Sequence, residues 1–541
     1  MLGVSAPARE PPACTGGDPL QSAGERYGPV LATLCLALMA VMAAMGSLHV
    51  ALPPVARAAG GSRTQMSWIV DAYALVFAAL LLPAGALGDR CGRRSVLLAG
   101  FAAFTAGSAA ALCVETPGPL IVLRAVAGAA AALVVPPMLS TVSAAFPGHR
   151  RQSAVAVWAA TAGIGALAGL LASAALLEWF WFSWQSAFAF SAVLAATALV
   201  AVWLWAAESA ARQRPSFDVL GGALSAAGMV ALVYAVVQAP IHGWSGFATV
   251  LGLCCGTLLL AAFVRRCVGT PYPLLVPGLF RRPAFTAAAL VLTLRFFALL
   301  GVVLILVQYL QLVLGETALG VALALVPTAA VLPAAFLSVR ATRRSPRAAT
   351  GAGLLLAAAG LLAMVRTSAD SSPASLSVGL AAVGAGIGLA APPAVIVDAL
   401  PRALHGVGSA VNGLARECGA ALGIAVLTSV LASVCRTHLT GTGVPEAARG
   451  FLPAALALGA AVAALAREAF THGLRLALVT AAATTACAAI AVFLLRARRI
   501  QRARAAWTSP ARGRFPAIGS SVMRAAGGDR PVTAPKTDSS K

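Results

Sequence analysis

Three ionisable side chains, His49, Asp71 and Arg124, stand at a similar depth inside long apolar stretches of this 541-residue chain. Each lies about five residues, or roughly 8 Å at the rise of a helix, inside one end of its apolar run. Charged groups at such depth are costly in lipid, and they face a cavity or a partner. A carboxylate beside a cation in a desolvated site can load and release a proton as its surroundings change. Asp71 with His49 or with Arg124 is therefore a candidate for proton transfer. The alternative is a fixed structural ion pair between Asp71 and Arg124, with His49 merely interfacial.

Further along, Arg295 sits in the middle of an apolar run, too far from either end to reach water. A guanidinium there requires a counter-ion, a water-filled cavity or an anionic substrate, and Arg295 is a candidate for the substrate cavity. Arg416 and Glu417 are adjacent in another run; they either satisfy each other or make Glu417 a second proton carrier. A different pattern occurs at Gly85-Ala-Leu-Gly-Asp89-Arg90-Cys-Gly92-Arg93-Arg94, where charge and glycine are wedged between two apolar runs. Glycine lets the chain reverse tightly, so this stretch reads as a short charged loop at a moving interface. The plainer reading is that Asp89 and Arg90 only orient the loop. No P-loop, HExxH or zinc-ligand spacing occurs, and Gly384-Ala-Gly386-Ile-Gly388 lies inside an apolar run, where small residues serve helix contact. No enzyme, cofactor or metal is expected.

The elements that must position these residues are membrane helices. The chain is 60% hydrophobic and only 10% charged, with a mean hydropathy of +0.88. A soluble protein of this length has too little polar surface at that composition to cover its core. Its net charge of +22 comes from arginines in short clusters between apolar runs, not from a basic face, so topology and not nucleic acid explains it. The ten cysteines show no CxxC and no regular spacing, and read as small apolar residues. The polar, Pro-rich stretch 1–28 has no basic n-region with a cleavage site, so the run from about Pro29 reads as an uncleaved first span.

Apolar runs fall at 29–52, 66–87, 95–113, 118–142, 154–177, 184–206, 217–238, 247–264, 284–308, 319–339, 348–365, 374–397, 406–433 and 474–495, predicting fourteen helices, spans 1 to 14. Arginine tests the count. Arg90, 93, 94, 150, 151, 212, 214, 265, 266, 281, 282, 340, 343, 344, 347 and 402 fall on one side, sixteen in all; Arg57, 63, 366, 436, 449, 467 and 475 fall on the other, seven in all. The sixteen share a side with the basic tail from Arg496, which places both termini in the cytoplasm. Trp68, Trp179, Trp181, Trp184 and Trp244 then mark the outer ends. Gly450–Ala466 is apolar, but as a span it would move the tail outside, so 436–473 is expected to form an external, partly inserted hairpin. The tail 497–541 and residues 1–28 are expected to be disordered.

The Gly85–Arg94 stretch resembles the loop signature of the major facilitator superfamily, Gly-x-Leu-Ala-Asp-Arg-x-Gly-Arg-Lys. Fourteen spans narrow the resemblance to its drug:proton antiporters of that size, and Trp68-Ile-Val-Asp71-Ala-Tyr73 is similar to the branch that exports quaternary ammonium compounds and antibiotics. Further matches are Leu123-Arg124-Ala-Val-Ala-Gly128 with Pro136, Asp218-Val-Leu-Gly221, His242-Gly243-Trp244, Tyr309-Leu-Gln311-Leu-Val-Leu-Gly315, Gly408-Ser-Ala-Val-Asn412 and Arg416-Glu417-Cys-Gly419. The resemblance implies an all-α membrane protein of the major facilitator fold. Two six-helix bundles (29–206 and 266–496) would flank two additional central helices in a linker, 207–265. Substrate would bind near the midplane between bundles that rock to expose it to each side. It also implies that Asp89 braces the first bundle against the start of span 13 near Gly406–Gly408, where a helix N-terminus favours an anion. Arg340-Ala-Thr-Arg343-Arg344 occupies the corresponding place in the second bundle.

Two departures bear on chemistry. The family's first span carries an aspartate where this chain has Ala44, and an asparagine at His49. The fifth span's Gly-Pro-x-x-Gly-Gly is Gly169-Leu-Leu-Ala-Ser173-Ala174 here. The expected function is proton-coupled efflux of amphipathic drugs or antibiotics across the cell membrane by a monomer, its partners being a small substrate, protons and lipid, with no nucleic acid. The alternatives are export of one metabolite or self-made antibiotic, neutral or anionic, and, from another class, a transport-weakened membrane sensor or scaffold.

In a cysteine-free background, cysteines placed at Gly441 and Thr508 are expected to react with a membrane-impermeant maleimide from outside and inside, respectively. Labelling of position 508 in intact cells would overturn the topology.

Overall fold

A computed structural model of the chain describes residues 19–59, 63–146, 148–179, 184–206, 217–270, 273–390, 405–450 and 452–494. All of its regular elements are helical, as lipid demands of a chain whose backbone groups must be satisfied within each segment. Thirteen helices are long and apolar enough to cross a membrane, and a shorter apolar helix, Pro373–Leu389, lies at span 12. Its continuation falls outside the described residues.

Spans 1 to 6 are the helices Pro19–Ala59, Arg63–Cys91, Arg93–Ala110, Pro117–Ala145, Gly148–Trp179 and Ser186–Trp205. They pack as one bundle around Phe77, Phe101, Phe104, Met138 and Trp158. The seam between spans 1 and 5 is nearly backbone on backbone: a side chain at Gly165 would overlap Met39, and one at Gly169 would overlap Ala43. The single glycine kept from the span 5 signature therefore sustains a helix contact.

Spans 7 and 8, Val219–His242 and Phe247–Gly269, pack on each other. Asp218 caps the first of them by accepting from the Gly221 amide at 2.9 Å, and it ion-pairs with Arg266 of the second at 2.7 Å. This pair of helices leans on span 2 through a Trp68–Tyr234 stack with centroids 5.7 Å apart.

The second bundle begins with Pro283–Gln308, prolonged by a wide turn over Tyr309–Val313. Span 10 is built from three consecutive pieces, Ala318–Ala324, Val326–Ala330 and Val331–Arg344. Span 11 is Pro346–Ala363, span 13 His405–Leu439 and span 14 Ala460–Leu494. The Gly384–Gly388 stretch packs on both sides, against Thr328 and Val331 of span 10 and Gly353 and Ala357 of span 11, as helix-contact residues do.

Three boundaries differ from expectation. The charged loop at 85–94 is almost absent as a loop. Span 2 continues through Cys91, span 3 starts at Arg93, and the whole reversal is made by Gly92 at φ 97°, ψ 134°. Gly85, Asp89 and Arg90 thus ride on a helix end, because one residue in a glycine-only conformation suffices to turn the chain. The last span starts at Ala460, not 474, because the alanine-rich 460–472 stretch favours helix and Gly473 packs against Leu431 of span 13. The external hairpin is correspondingly reduced to 440–459, with two short helices, Glu446–Arg449 and Leu452–Leu456. At the other end the first helix starts at Pro19, inside the stretch expected to be disordered. Residues 1–18 and 495–541 lie outside the described residues, as does the linker stretch 207–216.

Replacing Gly92 with alanine is expected to cost about 1–3 kcal/mol through backbone strain, read as a lower melting temperature in detergent. An unchanged melting temperature would show that the turn relaxes freely.

Candidate functional site

The two bundles meet along span 2 with span 13, span 4 with span 13, and span 5 with span 10. Four of the sequence candidates bear on the first two seams. Arg124 on span 4 is buried. Its Nε donates to the Ile69 carbonyl at 3.1 Å, and its guanidinium lies 4.5 Å from the Tyr73 ring centroid. Gly128, one turn further along span 4, allows this approach, since a side chain there would overlap the Tyr73 backbone. Arg416 and Glu417 on span 13 are both buried and joined by an Nε–Oε1 contact of 3.0 Å. The Arg416 guanidinium also lies 5.6 Å from the Phe77 ring of span 2 and 6.0 Å from the Phe296 ring of span 9. Tyr73 is within electrostatic reach of Arg124, Arg416 and Glu417.

Asp71 takes a different face. It shares a helical stripe with Trp68 and Leu75, which pack against spans 7 and 13 through Tyr234, Met229 and Cys418. The ionic contact of Arg124 is not with Asp71: Arg124 turns to a carbonyl and a ring instead. Asp71 is half-buried, with no hydrogen bond or ion pair to any described residue. His49 lies on the first helix, but its side chain is outside the described residues.

Ala44 and Arg124 line one small cavity in the outer half of the first bundle, together with Ser47, Ser108 and Ser191. Arg295 borders a second small cavity wholly inside the second bundle, with Thr328, Ile387 and Thr485. Its Nη1 donates to the Ala390 carbonyl at 2.7 Å, directly after the end of the span 12 helix. A cation suits that end of a helix dipole. Arg295 therefore serves a helix terminus, and among the described residues it has no acidic partner.

At the Gly92 end of the bundle, Asp89 accepts from Arg93 at 3.2 Å across the turn. Arg93 also donates to the Ser140 carbonyl of span 4, and Arg94 donates to the Trp203 carbonyl of span 6 at 2.8 Å. Arg90 is exposed. These charges staple four helices of one bundle, spans 2, 3, 4 and 6. The expected Asp89 contact with the start of span 13 is not among the described contacts, and residues 391–404 lie outside the described part. The bundles meet nearby through Leu81 against Gly413 and Leu82 beside Ala410 and Val411.

Sequence reasoning missed three participants: the rings of Phe77 and Phe296, and Glu178 at the outer end of span 5. Glu178 accepts from the Leu319 amide at 2.8 Å and from Thr317 Oγ1 at 3.4 Å, both at the start of span 10. The only signal in the sequence was an acid at the end of an apolar run, which also suits an interfacial residue.

A profile of the Major Facilitator Superfamily matches residues 34–424. The multidrug efflux pump LfrA of Mycolicibacterium smegmatis is 33% identical over 414 residues, 76% of this chain and 82% of its own. The puromycin resistance protein pur8 of Streptomyces alboniger is 31% identical over 455 residues, 82% of this chain and 88% of its own. Among solved structures, the human organic anion transporter MFSD10 aligns with a TM-score of 0.58 at 15% identity, over 86% of this chain and 99% of its own. That likeness bears on the fold alone.

Glu178 joins the two bundles at their outer end. Cysteines replacing Glu178 and Thr317 are expected to be linked by a short bifunctional maleimide in membranes. No cross-link under conditions that link a control pair within span 5 would show that these ends stand apart.

Proposed function

The chain belongs to the major facilitator superfamily, and on that footing we propose that it is an efflux pump for amphipathic drugs or antibiotics, driven by protons and working by alternating access. It is a multi-pass membrane transporter rather than an enzyme. Both termini are placed in the cytoplasm by the arginine bias, and the working unit is a monomer of fourteen spans.

The observation that carries this reading is the seam of spans 2, 4 and 13, where ionisable groups are buried at membrane depth beside aromatic rings. Such groups mark substrate and proton paths. The rings of Tyr73, Phe77 and Phe296 offer flat apolar contact to an amphipathic molecule. The two sides of the seam belong to different bundles, so rocking would open and close it. Similarity to a multidrug efflux pump and to a puromycin resistance protein supports drugs and antibiotics as the cargo.

Proton coupling is assigned first to Asp71. It is a carboxylate in the outer half of span 2 with no bonded partner among the described residues, and Ala44 removes the acid that the first span would otherwise offer. Glu417 is the second candidate, but Arg416 already holds it. The runner-up reading, export of one specific neutral or anionic metabolite or self-made antibiotic, is favoured by the excess of buried guanidinium over carboxylate along the site.

Asp71→Asn is expected to abolish substrate-induced proton release from acidified everted vesicles while leaving dye binding within about twofold. Ala44→Asp in the same background is expected to restore part of the proton signal and shift preference toward cationic dyes. Undiminished proton release by Asp71→Asn would move the coupling to Glu417.

A further inference from the structure

We propose that the cargo presents an anionic group to Arg416 and Tyr73, so that the seat between the bundles selects amphipathic anions over cations. The proposal rests on the export reading above and narrows its substrate class. Four charged residues are buried along the seam or, for Arg295, inside the second bundle behind it: Arg124, Arg295 and Arg416 against Glu417. Arg124 and Arg295 spend one donor each on a backbone carbonyl, which accepts a hydrogen bond but carries no net charge. Glu417 neutralises one guanidinium at most. Among the described residues the site is therefore cationic before any cargo arrives.

Two donors at this place are also unused. Arg416 Nη2 and the Tyr73 hydroxyl are both buried, and neither has a hydrogen-bond partner among the described residues. Leaving a buried donor unpaired is costly, and a ligand acceptor that satisfies it recovers that cost on binding. The two residues come from opposite bundles, Tyr73 from span 2 and Arg416 from span 13, and both stand beside Phe77, whose ring centroid is 5.9 Å from that of Tyr73 and 5.6 Å from the Arg416 guanidinium. A carboxylate, sulfonate or phenolate placed between them takes both donors. It would join the halves across the seam where they must separate for release. Phe77 and Phe296 flank Arg416 and accept the flat apolar part of the same molecule. A cationic cargo would leave both donors unpaired and stand against like charge.

The test separates binding from transport. Full-length protein in nanodiscs is titrated with fluorescein, an anionic xanthene, and with rhodamine 123, a cationic xanthene, and anisotropy reports binding. Fluorescein is expected to bind at least tenfold more tightly. Arg416→Gln is expected to lower fluorescein affinity by roughly tenfold or more, as loss of a charge-assisted hydrogen bond does; Arg416→Lys should recover most of that. Tyr73→Phe keeps the ring beneath Arg124 and removes only the unpaired hydroxyl. It should weaken fluorescein several-fold without weakening rhodamine 123, which keeps the question open to measurement if Arg416→Gln does not fold. Equal or tighter binding of rhodamine 123, equal losses for both dyes in the variants, or no binding of either dye overturns the anion seat. Fluorescein uptake into everted vesicles reads export by itself: a dye that binds through Arg416 but is not carried removes the pump and leaves the seat.

Discussion

A guanidinium at membrane depth must be compensated where it stands, and the arrangement of this protein follows from how that is done. Among the described residues a carboxylate serves in one such case, Glu417 beside Arg416. Arg124 uses a carbonyl of span 2 and the face of Tyr73, and Arg295 uses the last carbonyl of the span 12 helix beside Phe296. A cation over an aromatic face gains about 0.5–2 kcal/mol, more as water is excluded. Such contacts hold the charge in place without cancelling it. The seam consequently keeps both its field and its capacity to bind something else.

The contacts within a bundle and those between bundles differ in kind. Spans 1 and 5 meet through Gly165 and Gly169 at backbone distance, and Arg93 and Arg94 tie the start of span 3 to spans 4 and 6. Interlocked helices of this sort move together. Between bundles, aliphatic packing of Leu81 and Leu82 on span 13 is joined by the Arg416–Phe77 contact and by one carboxylate, Glu178, at the start of span 10. Exposed or half-exposed polar contacts such as the Glu178 hydrogen bonds exchange with water at small net cost. Two rigid halves joined by replaceable contacts are what rocking requires.

Hydropathy made most of the helices legible, because a span needs only length and apolarity, and both are local properties of the sequence. The site was legible only as a set of residue types. Arg124, Arg295, Arg416 and Glu417 stood out because charge is rare in such runs. Their partners did not, since a carbonyl such as that of Ile69 or Ala390 has no sequence signature. The pairing of Asp71 with Arg124 failed on helical phase. Depth is set by residue count, but direction depends on which face of span 2 meets which neighbour, and Trp68 commits the Asp71 stripe to spans 7 and 13. The start of span 14 was obscured by Arg467, Glu468 and Gly473, which read as a break; an alanine-rich helix carries all three.

The departures from the family pattern separate mechanics from chemistry. Gly169 is retained, and it is the residue whose missing side chain lets span 5 lie on the Ala43 backbone, so the loss of the other signature positions leaves that seam closed. The turn at Gly92 has a counterpart in the second bundle, where Ser345 separates two helices by a single residue and caps the second through the Ala348 amide at 3.3 Å. The moving parts are thus intact. Position 44 is another matter. It lines the cavity that Arg124 also lines, with serine hydroxyls but no acid around it. With alanine there, Arg124 is met by the Ile69 carbonyl and the Tyr73 ring rather than by a carboxylate of the first span. The departures thus leave the helix seams as they are and change only the polar lining of the cavity beside Arg124.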